Sequence, residues 1–391
     1  MSGLLNAPYI RKRSDGIDFL RGVFAMWVLI SHLVPWAAVV RGRTLENFWE
    51  KGLRLLIKIF QNNGEIHPAV LGFIVLSGYC IHRNGARSGV PFSIPGYSIR
   101  RFFRIWPVYV LAVVVGVACY IGSSNENAAI ASSLTATTNI AWPGILSKLT
   151  GISVFYAPLH MGSFQGNAPL VTVMVEIWLY VLYALVIVYL RNGGRQKIAL
   201  GIIAAIFLIA LTFVAKQPLL MNWWNNGSLF SFALYWWIGA LFVRDNPIPR
   251  KFVAGIFTIW LMLTLFFVSG NVGSGVFMGF LTEFRKILLA VLFGILIFRI
   301  DHSDHGWYAA GSRVGVAGYS IYALHAPLLI FFLIHGVNYW VVMLFTLGIA
   351  YMIFRLYEKP LTELGKRLST SLNRMENKAS QVVVSKASAR D

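Results

Sequence analysis

Charge is what this sequence has least of. Asp, Glu, Lys and Arg together make up 13% of its 391 residues, against roughly 25% in a soluble domain. So few ionisable groups cannot coat a water-facing surface, so most of the surface must face lipid, in keeping with a mean hydropathy of +0.65. Acid is scarcer still: 15 Asp and Glu stand against 34 Lys and Arg, a formal charge of +19. Such a surplus would suit nucleic acid, but the basic residues form no groove-like cluster. They stand beside apolar runs, where a membrane protein needs them, and no nucleic-acid partner is expected. Cysteine is limited to Cys80 and Cys119, both in apolar segments, which read as small core residues rather than thiol chemistry. A cleavable signal peptide is missing: the first apolar run is long, follows Arg11, Lys12 and Arg13, and lacks a small-residue cleavage site. There is no internal repeat, and no metal or resident cofactor is expected.

Long apolar runs are what the sequence has instead. A spanning helix needs about 20 apolar residues. Ten segments are candidates: 17–40, 67–82, 104–122, 168–190, 197–214, 228–243, 252–269, 286–300, 317–335 and 338–355. Backbone groups cannot go unpaired in hydrocarbon, so the expected fold is an all-α integral membrane protein of about ten transmembrane helices. With the N-terminus inside, 24 of the 34 basic residues fall in inside segments and nine in outside ones, with Arg21 inside the first span. This alternation predicts cytoplasmic N- and C-termini. Residues 1–364 then form one membrane domain, and 365–391 a polar, disordered cytoplasmic tail. The outside segment 45–60 has apolar residues at helical spacing and predicts a helix that either lies on the outer leaflet or helps to shape an acceptor site. The loop 123–167 is long and nearly uncharged, a length often found in functional loops.

Ionisable residues at membrane depth are costly and face a bundle interior or a water-filled cavity. Four groups stand out. In the first span, Arg21 and His32 are eleven residues apart, so they share one face about 16 Å apart, and Asp18 is within pairing range of Arg21. His32 reads either as a functional imidazole or as a buried one bonded to a neighbouring helix. Arg101 and Arg104, in Arg100-Arg-Phe-Phe-Arg-Ile-Trp-Pro107, lie one turn apart. They serve either as a topology signal or as a guanidinium clamp for phosphate. Glu176 has no charge near it in sequence, so it requires a partner from another helix or a proton. Ser320, Tyr322 and His325 are polar in an otherwise apolar span and read first as helix-packing hydrogen bonds.

These groups, in this order, resemble the blocks of acyltransferase family 3, multi-span membrane enzymes of the cell-surface polysaccharide O-acetylase type. The resemblance runs from about residue 14 to 362. Asp18-Phe-Leu-Arg21 followed by His32 is similar to the family's first-helix pattern. Phe73-Ile-Val-Leu-Ser77-Gly-Tyr79 looks like its second-helix run. Arg101-Phe-Phe-Arg104 with Pro107 and Tyr109 resembles its third-helix arginine pair. Glu176 with Tyr180, Ser320 to Pro327, and Glu358-Lys-Pro360 match the remaining blocks. One position departs: the family often has tryptophan five residues before the glutamate, and here it is Val171, which weakens inference about the acceptor. Many relatives append an esterase-like domain, which a chain of this length is not expected to carry.

The resemblance implies acyl transfer, most simply of acetyl, from cytoplasmic acyl-CoA as co-substrate to a hydroxyl of a cell-surface or exported glycan or lipid-linked sugar. It implies a multi-pass protein of the cytoplasmic (inner) membrane. His32, Arg21, Asp18 and Glu176 become the catalytic candidates and Arg101 and Arg104 the donor-binding ones, with Ser77, Tyr322, His325 and Glu358 as further candidates. His32 suits a general base or a transient acyl carrier. A multi-span transporter or flippase would share the buried charges, but would more often show repeats and broken helices in matching halves.

Overall fold

The computed structural model describes residues 15–44, 47–60, 66–86, 92–154, 165–190, 200–201, 203–204, 229–243, 246–269, 276–303 and 305–388. Every regular element among them is helical. In chain order these are α1 Asp15–Val40, α2 Phe48–Phe60, α3 Pro68–Ala86, α4 Ile94–Thr135, α5 Trp142–Thr150, α6 Leu170–Leu190, α7 Leu229–Leu241, α8 Arg250–Val268, α9 Val276–Asp301, α10 Trp307–Gly315, α11 Gly318–Ile334, α12 Tyr339–Ile353 and α13 Lys359–Ser388. A π-helical turn, Phe354–Glu358, joins the last two.

Among the described residues, five stretches are long and apolar enough to cross a membrane: α1, α4, Leu170–Ile187 of α6, α8, and Tyr339–Glu376. The pair α10–α11, bent by 51°, adds a sixth if it counts as one span. The sequence predicts ten. The difference has local causes. Helix α7 is 13 residues long. Helix α9 carries Glu283, Arg285, Lys286, Arg299 and Asp301. The candidate 197–214 lies largely outside the described residues. Several of the offending charges are paired within the bundle: Lys286 with Glu283, and Arg83 of α3 with Asp301 at 2.9 Å.

Helix α11 is the axis of the bundle. It is apolar around its circumference, which suits a helix buried on all sides, and is buried continuously from Ser320 to Ile330. It packs on α1, α4 and α12. Apolar side chains of outer helices face away from the protein, with Met262 64%, Leu265 60% and Leu344 63% exposed, a surface that only lipid would cover favourably. Two contacts are close enough to demand glycine. A Cβ on Gly315 would sit 1.5 Å from the Asp18 carbonyl, so α10 lies directly on α1 at the Asp18–Arg21 turn. Gly78 of α3 and Gly239 of α7 meet reciprocally, each with a carbonyl of the other helix within 2 Å of where its Cβ would be. Small residues at such crossings let backbones approach.

Two segments differ from expectation, and a third forms the helix its spacing predicts. The stretch 123–167 is not a plain loop: α4 continues to Thr135 with a break at Asn127, and α5 follows. Helix α5 is held by Tyr109, whose hydroxyl donates to the Lys148 carbonyl at 2.7 Å, and by Trp178, whose Nε1 donates to Gly151 at 3.0 Å. Lys148 is 2% exposed, and burial pushes its ammonium down to about 7. From Gly365 onward, where composition predicts a disordered tail, α13 continues to Ser388. Its first half packs on α4, with Arg100 donating to Ser369. The amphipathic segment 45–60 forms α2, in which Phe60 packs against Trp27 of α1 and Trp260 of α8.

Candidate functional site

Two polar regions meet at one turn of α11. The lower is a cavity of about 90 Å³ lined by Arg21, Arg101, Arg104, Glu176, Tyr180 and Glu358, with Ser77, Cys80 and Tyr322 also on its wall. A water needs roughly 10–15 Å³ of such space, so the cavity holds several waters or an acetyl-sized group. Sequence-predicted residues from six separate segments therefore share one chamber.

Its cations are unequally satisfied. Arg21 Nη1 donates to Asp18 Oδ1 at 2.5 Å, and Nη2 reaches Cys80 Sγ at 3.4 Å. The Asp18–Arg21 pair anticipated by spacing thus exists, and Cys80, which also packs against the core, is its third member. Arg101 lies between the rings of Tyr97 and Tyr180, 5.6 and 5.4 Å from their centroids. Its Nε is buried without a hydrogen-bond partner. Among the described residues neither Arg101 nor Arg104 makes an ion pair. Arg100, by contrast, is used on Ser369.

The carboxylates are tied to hydroxyls. Glu176 accepts from Tyr180 of its own helix, four residues on, so its partner is local rather than the interhelical one expected. The network then crosses helices: Tyr180 meets Ser77 at 3.1 Å, and Ser77 accepts from Trp236 Nε1 at 3.3 Å. Glu358 accepts from Ser320 at 2.6 Å. It closes the π turn, and such turns are frequent at functional sites.

Below the chamber lies a second, polar cavity of about 350 Å³, lined by Arg104, Arg313, Arg355, Lys359 and Lys366 with Glu358 and Glu363. The two cavities share Arg104, Val316 and Glu358. A groove rich in cations thus adjoins the arginine chamber.

Above the chamber stands a histidine pair. His32 Nδ1 lies 3.0 Å from His325 Nε2, with the ring planes parallel to within 7° and the centroids 5.2 Å apart. His325 Nδ1 lies 2.6 Å from the Tyr322 carbonyl. Trp36 stacks on His32 at 4.5 Å and 11°. Tyr322 links the two regions: its side chain lines the chamber and meets Thr172 at 2.5 Å, while its carbonyl holds His325. His325 thus makes an interhelical hydrogen bond of the kind the packing reading of its span expects, and its partner is His32.

Two neighbours escaped the sequence. His67, at the lip of α3, has its ring 6.0 Å from that of His32. Its Nδ1 accepts from the Ala69 amide at 3.2 Å, and its Nε2 is buried without a partner. Trp27 Nε1 is likewise buried and unpartnered, with its ring 5.9 Å from that of His67. His67 is the first residue of the candidate span 67–82 and directly precedes Pro68; only the fold brings it to α1. Among the described residues these histidines do not form a metal-holding group.

A family model described as an acyltransferase domain matches residues 14–356. No curated protein and no solved structure matches the chain.

Proposed function

The chain belongs to acyltransferase family 3, and from that premise we propose that it moves an acyl group, most simply acetyl, from cytoplasmic acyl-CoA to a hydroxyl of a cell-surface or exported glycan. The observation that carries this reading is the continuity of the three regions. A cation-rich groove shares Arg104 and Glu358 with the arginine chamber, and the chamber ends at Tyr322, one turn from the histidine pair. A polyphosphate donor with a thin arm suits that order. Arg355, Lys359, Lys366 and Arg104 meet phosphates, the chamber receives the acyl end, and His32 meets the acceptor.

The chemistry balances with these groups alone. A base takes the hydroxyl proton, the oxygen attacks the thioester carbonyl, the C–S bond breaks, and the thiolate leaves with the proton as free CoA. His32 acts as that base, or first accepts the acyl group itself. Asp18 and Arg21 shape the chamber below, and Glu176 and Glu358 balance its charge. Ten spans, with both termini inside the cytoplasmic membrane, would put the groove and the acceptor on opposite faces.

Purified protein in lipid, supplied with acetyl-CoA and an acetyl-free surface glycan, is expected to release free CoA only when the glycan is present. Acetyl esters should also be missing from the surface polysaccharide of a deletion strain. Binding of acyl-CoA without CoA release under any acceptor would indicate a binder or carrier and overturn the proposal.

A further inference from the structure

A neutral imidazole carries one N–H, and which nitrogen bears it is set by what the other must bond. We infer that His325 is a positioning residue that holds the proton of His32 on Nδ1, leaving Nε2 as the nitrogen that meets the acceptor hydroxyl. The inference deepens the transferase reading and rests on it for the identity of that hydroxyl.

The argument runs outward from a backbone carbonyl. The Tyr322 carbonyl can only accept, so His325 Nδ1, at 2.6 Å, carries the hydrogen. His325 is 0% exposed on the central helix. Among the described residues neither His325 nor His32 pairs with a carboxylate, and a buried, uncompensated imidazolium there is costly. His325 is therefore neutral and its Nε2 is a lone pair. That lone pair faces His32 Nδ1 at 3.0 Å; the ring planes are parallel to within 7° and the centroids 5.2 Å apart, a separation that places the rings end to end along the N···N line, as an N–H···N bond requires. So His32 Nδ1 donates, and its Nε2 keeps a lone pair. Trp36, stacked on the same ring, fixes its plane.

The same reasoning orients His67. Its Nδ1 accepts from the Ala69 amide, so its Nε2 carries a hydrogen, which is buried and unpartnered. When His32 takes the hydroxyl proton, its Nδ1–H···Nε2 bond to His325 shares the charge that forms. The proton then leaves with the thiolate.

The test is ¹⁵N-histidine magnetic resonance on the full chain in lipid, with His32 assigned by its loss in His32→Asn. The wild type should show His32 protonated on Nδ1. His325→Gln, whose amide oxygen still accepts, should keep that tautomer and retain turnover to within about tenfold. His325→Leu should release His32 to the Nε2–H form and lower turnover on the order of 10²–10⁴-fold with KM little changed. An Nε2–H signal in the wild type overturns the inference. So does an unchanged tautomer in His325→Leu, or a Gln variant that keeps the tautomer yet loses turnover. The wild-type spectrum needs no variant to fold and no acyl transfer to occur. Failure of the transferase reading would therefore leave the tautomer result standing.

Discussion

A guanidinium at membrane depth is costly unless it meets an anion, and two of the three arginines in the chamber form no direct ion pair with a described residue. That asymmetry separates Arg101 and Arg104 from Arg21, which has Asp18. If the pair awaits a phosphate or thioester oxygen, Arg104→Ala should weaken acyl-CoA binding by about 10- to 100-fold and leave acceptor affinity close to wild type. Arg101→Lys should also impair donor use, because lysine keeps the charge but lacks the planar fork. Isothermal titration with CoA would decide, and unchanged affinity in both variants would reduce these residues to topology signals. His32 is tested separately. His32→Asn preserves hydrogen-bonding shape without proton chemistry and should lower turnover by about 100-fold or more with the protein still inserted and abundant. At this scale the sequence was informative wherever spacing on one helix decides a contact, as for Asp18 with Arg21. It was silent on His67, and on His325 against His32, because those contacts depend on how α3 and α11 are placed against α1.

Helix crossings account for residues that a polarity pattern alone would pass over. Gly78 sits between Ser77 and Tyr79 because its Cβ position is occupied by the Trp236 carbonyl, and Ser77 is thereby brought to Trp236 and Tyr180. Gly315→Val would drive a side chain into the Asp18 carbonyl. Overpacking costs about 1–3 kcal/mol or more, and here it would move the Arg21 turn, so the folded fraction in detergent should fall together with donor binding. Helix α5 offers a pH test. Lys148 in the folded chain titrates at about 7, against about 10.4 unfolded. The unfolded state thus binds more protons between those values, and stability rises with pH across that window. Lys148→Met removes the penalty, so it should raise the unfolding midpoint by about 2–4 °C at pH 6, with the gain shrinking by pH 9. An equal gain at both would assign the effect to packing. The two helices that composition missed share a cause. The end of α4 and most of α13 are polar enough to read as loop or tail, and contacts such as Tyr120 with Thr137 and Arg100 with Ser369 hold them.

At the scale of the whole molecule, the proposed reaction is vectorial. Acyl-CoA carries phosphates and does not cross a bilayer, so the groove of Arg313, Arg355, Lys359 and Lys366 has to face the donor's compartment. On the orientation proposed from the basic-residue alternation, that groove would lie inside, and 123–135 at the end of α4 outside. A reporter active only in the cytoplasm should therefore be active when fused after Arg390 and silent when inserted near Ser124. Activity at both would mean that the span count is wrong. Sealed vesicles then test function against topology. Inverted vesicles expose the inner face, so externally added acetyl-CoA should be consumed with a glycan acceptor trapped in the lumen. Right-side-out vesicles present the His32 face to the same donor and should release CoA at no more than about a tenth of that rate, since the cation groove is sealed inside. Permeabilising them should restore the rate, because the phosphates then reach the cations that bind them. Equal rates in both sealed orientations would mean that donor and acceptor enter from the same side, and the path from groove through chamber to His32 would have to be abandoned.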